Sequence, residues 1–174
     1  RNPLLYKNIG ADGIKTGFLT VEQYSLAATI KPNERRMISV ASGFKTKNSR
    51  SRETIKMLNW GLKKFDTIKI TEKDKIFSSL NVWLGGKNKV EVFAEEDFYL
   101  TIPKRKKKTI KAYLEYEGPL STPIEKGAKV ATLKVYVLDE LIKEINIMSN
   151  ESIKRANIFS RLLKSLNYLV WGDA

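Results

Sequence analysis

A chain of 174 residues that is 42% hydrophobic can bury a real core and hold one or two domains. Cysteine and histidine are both absent, which excludes thiol nucleophiles, disulfides, the usual transition-metal ligands and any Ser-His-Asp triad, so serine chemistry would need a lysine base and no metal or other cofactor is expected. Lys and Arg number 32 against 19 Asp and Glu, a formal charge of +13 that draws the surface to anionic matter without choosing among nucleic acid, lipid and acidic polymer.

Lack of cysteine fits an oxidising compartment such as a periplasm. A chain that starts at Arg1 with no visible signal peptide reads as a fragment or a processed product.

In chain order, a short lead-in breaks at Pro3, and residues 8–13 carry the Asn, Gly and Asp-Gly chemistry expected before a strand. The first strand covers residues 15–19. Its centre is Lys15-Thr16-Gly17, one of three short signatures of serine acyl enzymes, the others being Ser-x-x-Lys and Ser-x-Asn. An edge strand with a fixed cation, a hydroxyl and a glycine can pair with an extended peptide, because the missing side chain lets the ligand backbone come close. The plain alternative is a surface strand whose glycine starts a bulge.

Residues 23–30 and 36–42 read as two further strands around a Pro-Asn turn at 31–34, giving three antiparallel strands. A helix follows from about Arg50 to Phe65, with Ser49 as N-cap and Ile55, Leu58, Leu62 and Phe65 at the spacing of one buried face.

Residues 67–150 alternate in short runs at 68–70, 90–92, 99–102, 110–116, 130–137 and 141–147, with turn signals at Gly85-Gly86, Gly118-Pro119 and Lys126-Gly127. That spacing predicts a small all-β sandwich. Asp139-Glu140 lacks the Asp-Gly of a tight hairpin, so a longer loop is expected there. The run Lys104-Arg105-Lys106-Lys107-Lys108 reads as a solvated hairpin loop kept extended by like charges, or as a contact to phosphate, anionic lipid or cell-wall polymer. No aromatic residue interleaves with it, which speaks against single-stranded nucleic acid.

The last segment, residues 155–171, is an amphipathic helix with Ile158, Phe159, Leu162, Leu163, Leu166, Leu169 and Val170 on one face. It is too interrupted by charge to span a bilayer. It either docks on its own domain or lies in a membrane interface with Tyr168 and Trp171 at headgroup depth, and its terminal, cationic, Leu-rich character favours the interface.

The runs Gly13 to Phe18, Tyr24-Ser25-Leu26-Ala27, Ile38-Ser39-Val40 and Asn59-Trp60-Gly61, followed by Phe98 to Pro103 and the terminal helix, resemble the low-molecular-weight penicillin-binding proteins, the serine-type D-alanyl-D-alanine carboxypeptidases, over essentially the whole chain. The resemblance implies an α+β protein. Residues 1–66 would be the end of a β-lactamase/transpeptidase-like catalytic domain, 67–150 a β-sandwich domain and 151–174 a membrane-anchor helix.

It also implies roles. Lys15 would be an electrostatic and proton-network member, Thr16 a ligand for the substrate carboxylate, Gly17 part of the peptide-pairing strand, and the Phe18 backbone N–H an oxyanion-hole donor. Arg50 would hold the terminal carboxylate, with Arg52 as its rival. Phe159, Leu162, Leu163, Leu166, Leu169 and Trp171 would enter the outer face of the cytoplasmic membrane. The implied ligands are peptidoglycan stem peptides and β-lactams, with no nucleic acid.

Leu19 and Glu22-Gln23 depart from the family pattern of a threonine and a small pair at those places. The one Ser-x-x-Lys, Ser42 to Lys45, follows a strand and contains glycine, so its serine and lysine face opposite ways. Ser79-Leu80-Asn81 and Ser165-Leu166-Asn167 lie downstream of Lys-Thr-Gly, the reverse of the family order. The nucleophile is therefore expected outside these residues. The second reading is a non-catalytic, basic membrane-surface module that binds cell-wall or other anionic polymer.

Overall fold

Alternate positions of one strand set up the first sheet of the computed structural model, which describes residues 1–32 and 35–171. Strand β2 (Gln23–Ile30) buries Leu26, Ala28 and Ile30 on one face. It is the centre of an antiparallel sheet with β1 (Ala11–Leu19) and β3 (Met37–Phe44), in the order β1-β2-β3. Asn33 and Glu34, half of the expected turn, lie outside the described residues.

Helix α1 (Lys47–Lys64) covers the buried face, where Leu58 joins Leu4, Leu26, Ala28 and Ile30. Each such leucine contributes about 1.5–3 kcal/mol by leaving water. The helix starts three residues earlier than its sequence pattern predicts. Thr46 is the N-cap in place of Ser49: its hydroxyl accepts the Ser49 N–H at 3.0 Å while Ser49 Oγ accepts the Thr46 N–H at 3.1 Å, so Ser49 is the returning member of a capping box. The most buried line is Arg50, Thr54, Leu58 and Gly61, with Ile55 and Leu62 partly buried beside it. Phe65 is the C-cap, its ring edge-on to Trp60 at 5.2 Å.

The chain divides into two compact units, Arg1–Thr67 with Thr101–Lys104 and Ile68–Leu100 with Arg105–Ala174. The expected continuous ranges differ from this, because Thr101–Lys104 counts with the first unit. Strands β4 (Phe65–Thr71) and β7 (Phe98–Pro103) pair as a two-stranded sheet.

In the second unit, β5 (Ile76–Trp83), β6 (Lys89–Ala94), β8 (Ile110–Glu115), β9 (Leu120–Ser121), β10 (Lys129–Val137) and β11 (Glu140–Ser149) form one sheet in the order β8-β10-β11-β6-β5-β9. Strict alternation buries Ala131, Leu133, Val135 and Val137 on β10, and Val90, Val92 and Ala94 on β6. Among the described residues no α-helix contributes to that core; Ile124 and Ile153 from outside the strands join it, Ile70 of β4 and Phe98 of β7 pack against it, and Val90, Val92, Val135 and Ile147 are completely buried. The second helix, α2 (Ile158–Trp171), leaves its apolar side exposed. The chain as a whole is mostly β with some helix.

Three local expectations are corrected. The β10–β11 connection is a two-residue turn, Val137 pairing with Glu140, with φ +52° at Leu138 and +66° at Asp139; the turn is centred one residue earlier than Asp139-Glu140 and forces a leucine into the left-handed region. The basic run is a short 3-10 helix, Lys104–Thr109, instead of an extended loop. The Thr109 hydroxyl closes it on the Lys106 carbonyl at 2.8 Å. Strand β5 was hidden by its polar stretch Ser78-Ser79.

Gly85 packs so closely that an added Cβ would lie 2.8 Å from Val82 Cγ1 and 2.9 Å from both Ile153 Cγ2 and the Lys87 carbonyl. Gly85→Ala is expected to lower stability of the β unit by about 1–3 kcal/mol in urea unfolding followed by circular dichroism; an unchanged midpoint would show that the neighbours yield freely.

Candidate functional site

The Lys-Thr-Gly triplet lies on β1, at the edge of its sheet, bonded only to β2 among the described residues. The far edge leaves backbone N–H and C=O groups able to receive an extended chain. Cross-strand partners share a face: Thr16 opposes Leu26 and Phe18 opposes Tyr24, on the side packed by α1. Lys15 opposes Ala27 and Gly17 opposes Ser25, on the other side. The strand thus sends Lys15 and Thr16 to opposite faces, and only a ligand lying along the edge is within reach of both. A Cβ at position 17 would meet only the Ser25 side chain, whose Oγ would have to rotate away to admit it.

Two supports fix β1 from below. Asn2 is 3% exposed; its amide donates to the Gly13 carbonyl at 2.6 Å and its oxygen accepts the Leu4 N–H at 3.0 Å. Arg36 forms a fork on Asp12 at 2.9 and 2.8 Å and also donates to Thr29 at 2.7 Å, tying together β1, β2 and the approach to β3. That hydrogen bond holds the Asp12 carboxyl below its usual range and raises the Arg36 guanidinium.

Arg50, in the first turn of α1, is 8% exposed, and its Nε has no hydrogen-bond partner. Its guanidinium carbon sits 5.7 Å from the centre of the Tyr24 ring, and Tyr24 in turn lies 4.7 Å, ring centre to ring centre, from Phe18. A buried arginine without an acidic partner among the described residues is costly, and the ring face offsets only part of that cost. The arrangement suits an incoming carboxylate. Arg52 differs: it is exposed and paired with Glu53 at 2.7 Å. Tyr24 and Asn2 escaped the sequence reading; the available signals were the Asn-Pro start of a capped turn and the tyrosine facing Phe18 across a short hairpin.

The rejected Ser-x-x-Lys and Ser-x-Asn matches fall on other elements. Ser42 falls on β3, Ser79 and Asn81 on β5, and Ser165 and Asn167 on α2. Along α2 the side chains of Ile158, Phe159, Leu162, Leu163, Leu166 and Leu169 are all more than half exposed, from 52% at Leu166 to 84% at Phe159. The side chains of Lys164, Tyr168, Val170 and Trp171 lie outside the described residues. No helix among the described residues is long and apolar enough to cross a membrane, and no cluster of acidic residues among them could hold a metal.

A family model described as penicillin-binding protein 5, C-terminal domain, matches residues 65–155. A D-alanyl-D-alanine carboxypeptidase DacA from Haemophilus influenzae is 37% identical over 166 residues, covering 93% of this chain and 42% of that protein. DacD from Salmonella typhimurium is 34% identical over 93% of this chain and 42% of its own length. The chain thus spans about four tenths of the curated relatives it matches. Among solved structures, penicillin-binding protein 5 from H. influenzae superposes with a TM-score of 0.69 at 33% identity, covering 88% of this chain and 46% of the other. The carboxypeptidase DacD from Francisella tularensis gives 0.63 at 27% identity, covering 89% and 39%.

The Asp12–Arg36 pair generates a pH prediction. Because the folded carboxyl titrates below its ordinary value of 3.8, its contribution to stability is complete above that pH and is lost as pH falls through the lowered value. NMR titration of the Asp12 carboxyl should show a midpoint under 3.8 that rises toward it in Arg36→Gln; equal midpoints would show that the fork does not hold in solution.

Proposed function

The chain belongs to the penicillin-binding protein 5 family through the C-terminal domain it carries at residues 65–155, and from that premise we propose that it is the C-terminal portion of a serine-type D-alanyl-D-alanine carboxypeptidase. The observation that carries this reading is the edge strand bearing Lys15-Thr16-Gly17, joined through Phe18 and Tyr24 to Arg50, an arginine buried with no acidic partner among the described residues. A second observation supports residues 1–66 as part of a larger catalytic domain: the sheet face opposite α1 carries Ile38 and Val40 at 61% and 74% exposed, an apolar surface suited to a further layer.

In this reading the stem peptide of peptidoglycan adds to the free edge of β1 as an extra strand. Gly17 admits its backbone, the Thr16 hydroxyl and the Arg50 guanidinium take its terminal carboxylate, and Lys15 adds positive charge and a proton path. A serine supplied from outside these 174 residues attacks the penultimate carbonyl and gives its proton to a lysine base. The oxyanion is received by the Phe18 backbone N–H and a second donor. The C–N bond breaks, D-alanine leaves with a proton, and water then hydrolyses the acyl-serine ester. A β-lactam follows the same path to the acyl-enzyme, which is how such a protein binds penicillin.

Residues 67–150 form the β-sandwich domain in this account, and 151–174 the anchor on the periplasmic face of the cytoplasmic membrane. The exposed row from Phe159 to Leu169 would sink about 5–10 Å into the headgroup boundary.

The full-length protein is expected to become covalently labelled by a fluorescent penicillin, with Lys15→Ala slowing labelling about 100-fold or more. A folded parent that takes no label would turn the reading to a non-catalytic, basic membrane-surface module. For the anchor, the chain should float with liposomes and L162E/L166E should not; equal flotation of the two would count against it.

A further inference from the structure

We propose that the β unit carries, at the root of α2, a binding pocket for the phosphodiester headgroup of an anionic lipid, with Arg155 and Arg161 as its cationic walls. A cavity of about 240 Å³ opens there, lined by Trp83, Leu84, Ser121, Thr122, Arg155 and Arg161. Its lining residues carry two guanidinium groups, two hydroxyls and an indole, and none of them is acidic. Its volume is below that of a site for a drug-sized ligand and suits a headgroup.

The pocket is built on fixed backbone. Arg155 bridges Gly85, the Gly86 N–H donates to the Lys154 carbonyl at 2.9 Å, and the Ala156 N–H donates to Leu84 at 2.9 Å. The Arg155 Nε donates to the Thr122 carbonyl at 3.0 Å, which aims the fork and leaves its terminal nitrogens to bind. Neither Arg155 nor Arg161 has an acidic partner among the described residues.

Paired guanidinium forks favour phosphate oxygens by planar, bidentate hydrogen bonding. Location selects the source. Ile158 and Phe159, at the start of the exposed apolar row, follow Arg155 within four residues; if that row enters a bilayer, the pocket stands at headgroup depth, where indole rings also concentrate. The inference therefore rests on the anchor reading, while its ligand chemistry stands by itself.

The test compares the 174-residue chain with R155Q/R161Q and with K107Q/K108Q, which removes the same charge from the basic 3-10 helix. Binding is measured to phosphatidylcholine vesicles with and without phosphatidylglycerol, and glycerophosphoglycerol and inorganic phosphate are titrated while the Arg155 and Arg161 side-chain NMR signals are followed. The arginine pair should lose about tenfold more affinity for phosphatidylglycerol vesicles than the lysine pair. Glycerophosphoglycerol should shift both arginine signals saturably. Equal losses in the two variants would reduce the effect to bulk charge and overturn the proposal.

Wild type that binds neither vesicle would remove the anchor reading alone; a saturable shift with either soluble probe would then keep the pocket as a free phosphodiester or phosphate site, and no shift would overturn it. Because Arg155 also braces the loop, R161Q alone is the folding-independent variant: its side chain makes no hydrogen bond among the described residues, and it should lose at least part of the lipid preference.

Discussion

An arginine withdrawn from water must be balanced by something, and the first unit is arranged around that requirement at Arg50. The capping box of Thr46 and Ser49 fixes where α1 begins, and that start sets Arg50 on the buried line of the helix with Thr54, Leu58 and Gly61. On the same line Gly61 lies against the flexible end of the Met37 side chain, and Arg50 stands over the Tyr24 ring. Tyr24 then carries the contact to Phe18 across one strand pair. Backbone geometry, helix entry and the edge strand converge on a single buried cation with no acidic partner among the described residues.

Much of the β architecture was legible in the sequence because alternation is a direct consequence of strand geometry: Leu133, Val135 and Val137 could not all be buried in any other regular conformation. The exceptions share a cause. Strand β5 carries Ser78, Ser79 and Asn81 among its apolar residues, which breaks the period by eye, and its ladder with β6 shifts register between Ile76 and Ser78. The helix stripe was legible in part: Ile55, Leu58 and Leu62 do pack on the core, but the most buried line also holds Arg50 and Thr54, polar types that a hydrophobic pattern assigns to solvent. The hairpin at Leu138-Asp139 puts a leucine where turn chemistry expects Asn or Gly.

The candidate site was legible in part for a related reason. Three residues, Lys15-Thr16-Gly17, mark the strand, but no spacing in the sequence separates Arg50 from Arg52, since both stand near the helix start. Partners decide between their environments: Arg52 has Glu53 next to it, whereas Arg50 is enclosed by the sheet. Nor does sequence alternation announce that Lys15 and Thr16 leave β1 on opposite sides, which makes the edge itself the place where their chemistry can meet.

The junction before α2 has a mechanical consequence. Arg155 is in a backbone bridge, Ala156 donates to Leu84, and Asn157 caps the helix by accepting the Ser160 N–H at 2.8 Å. No residue between sheet and helix is left uncommitted. The joint is therefore a bracket rather than a leash: a force that turns α2 is passed to the sheet through these bonds instead of being absorbed by a slack linker.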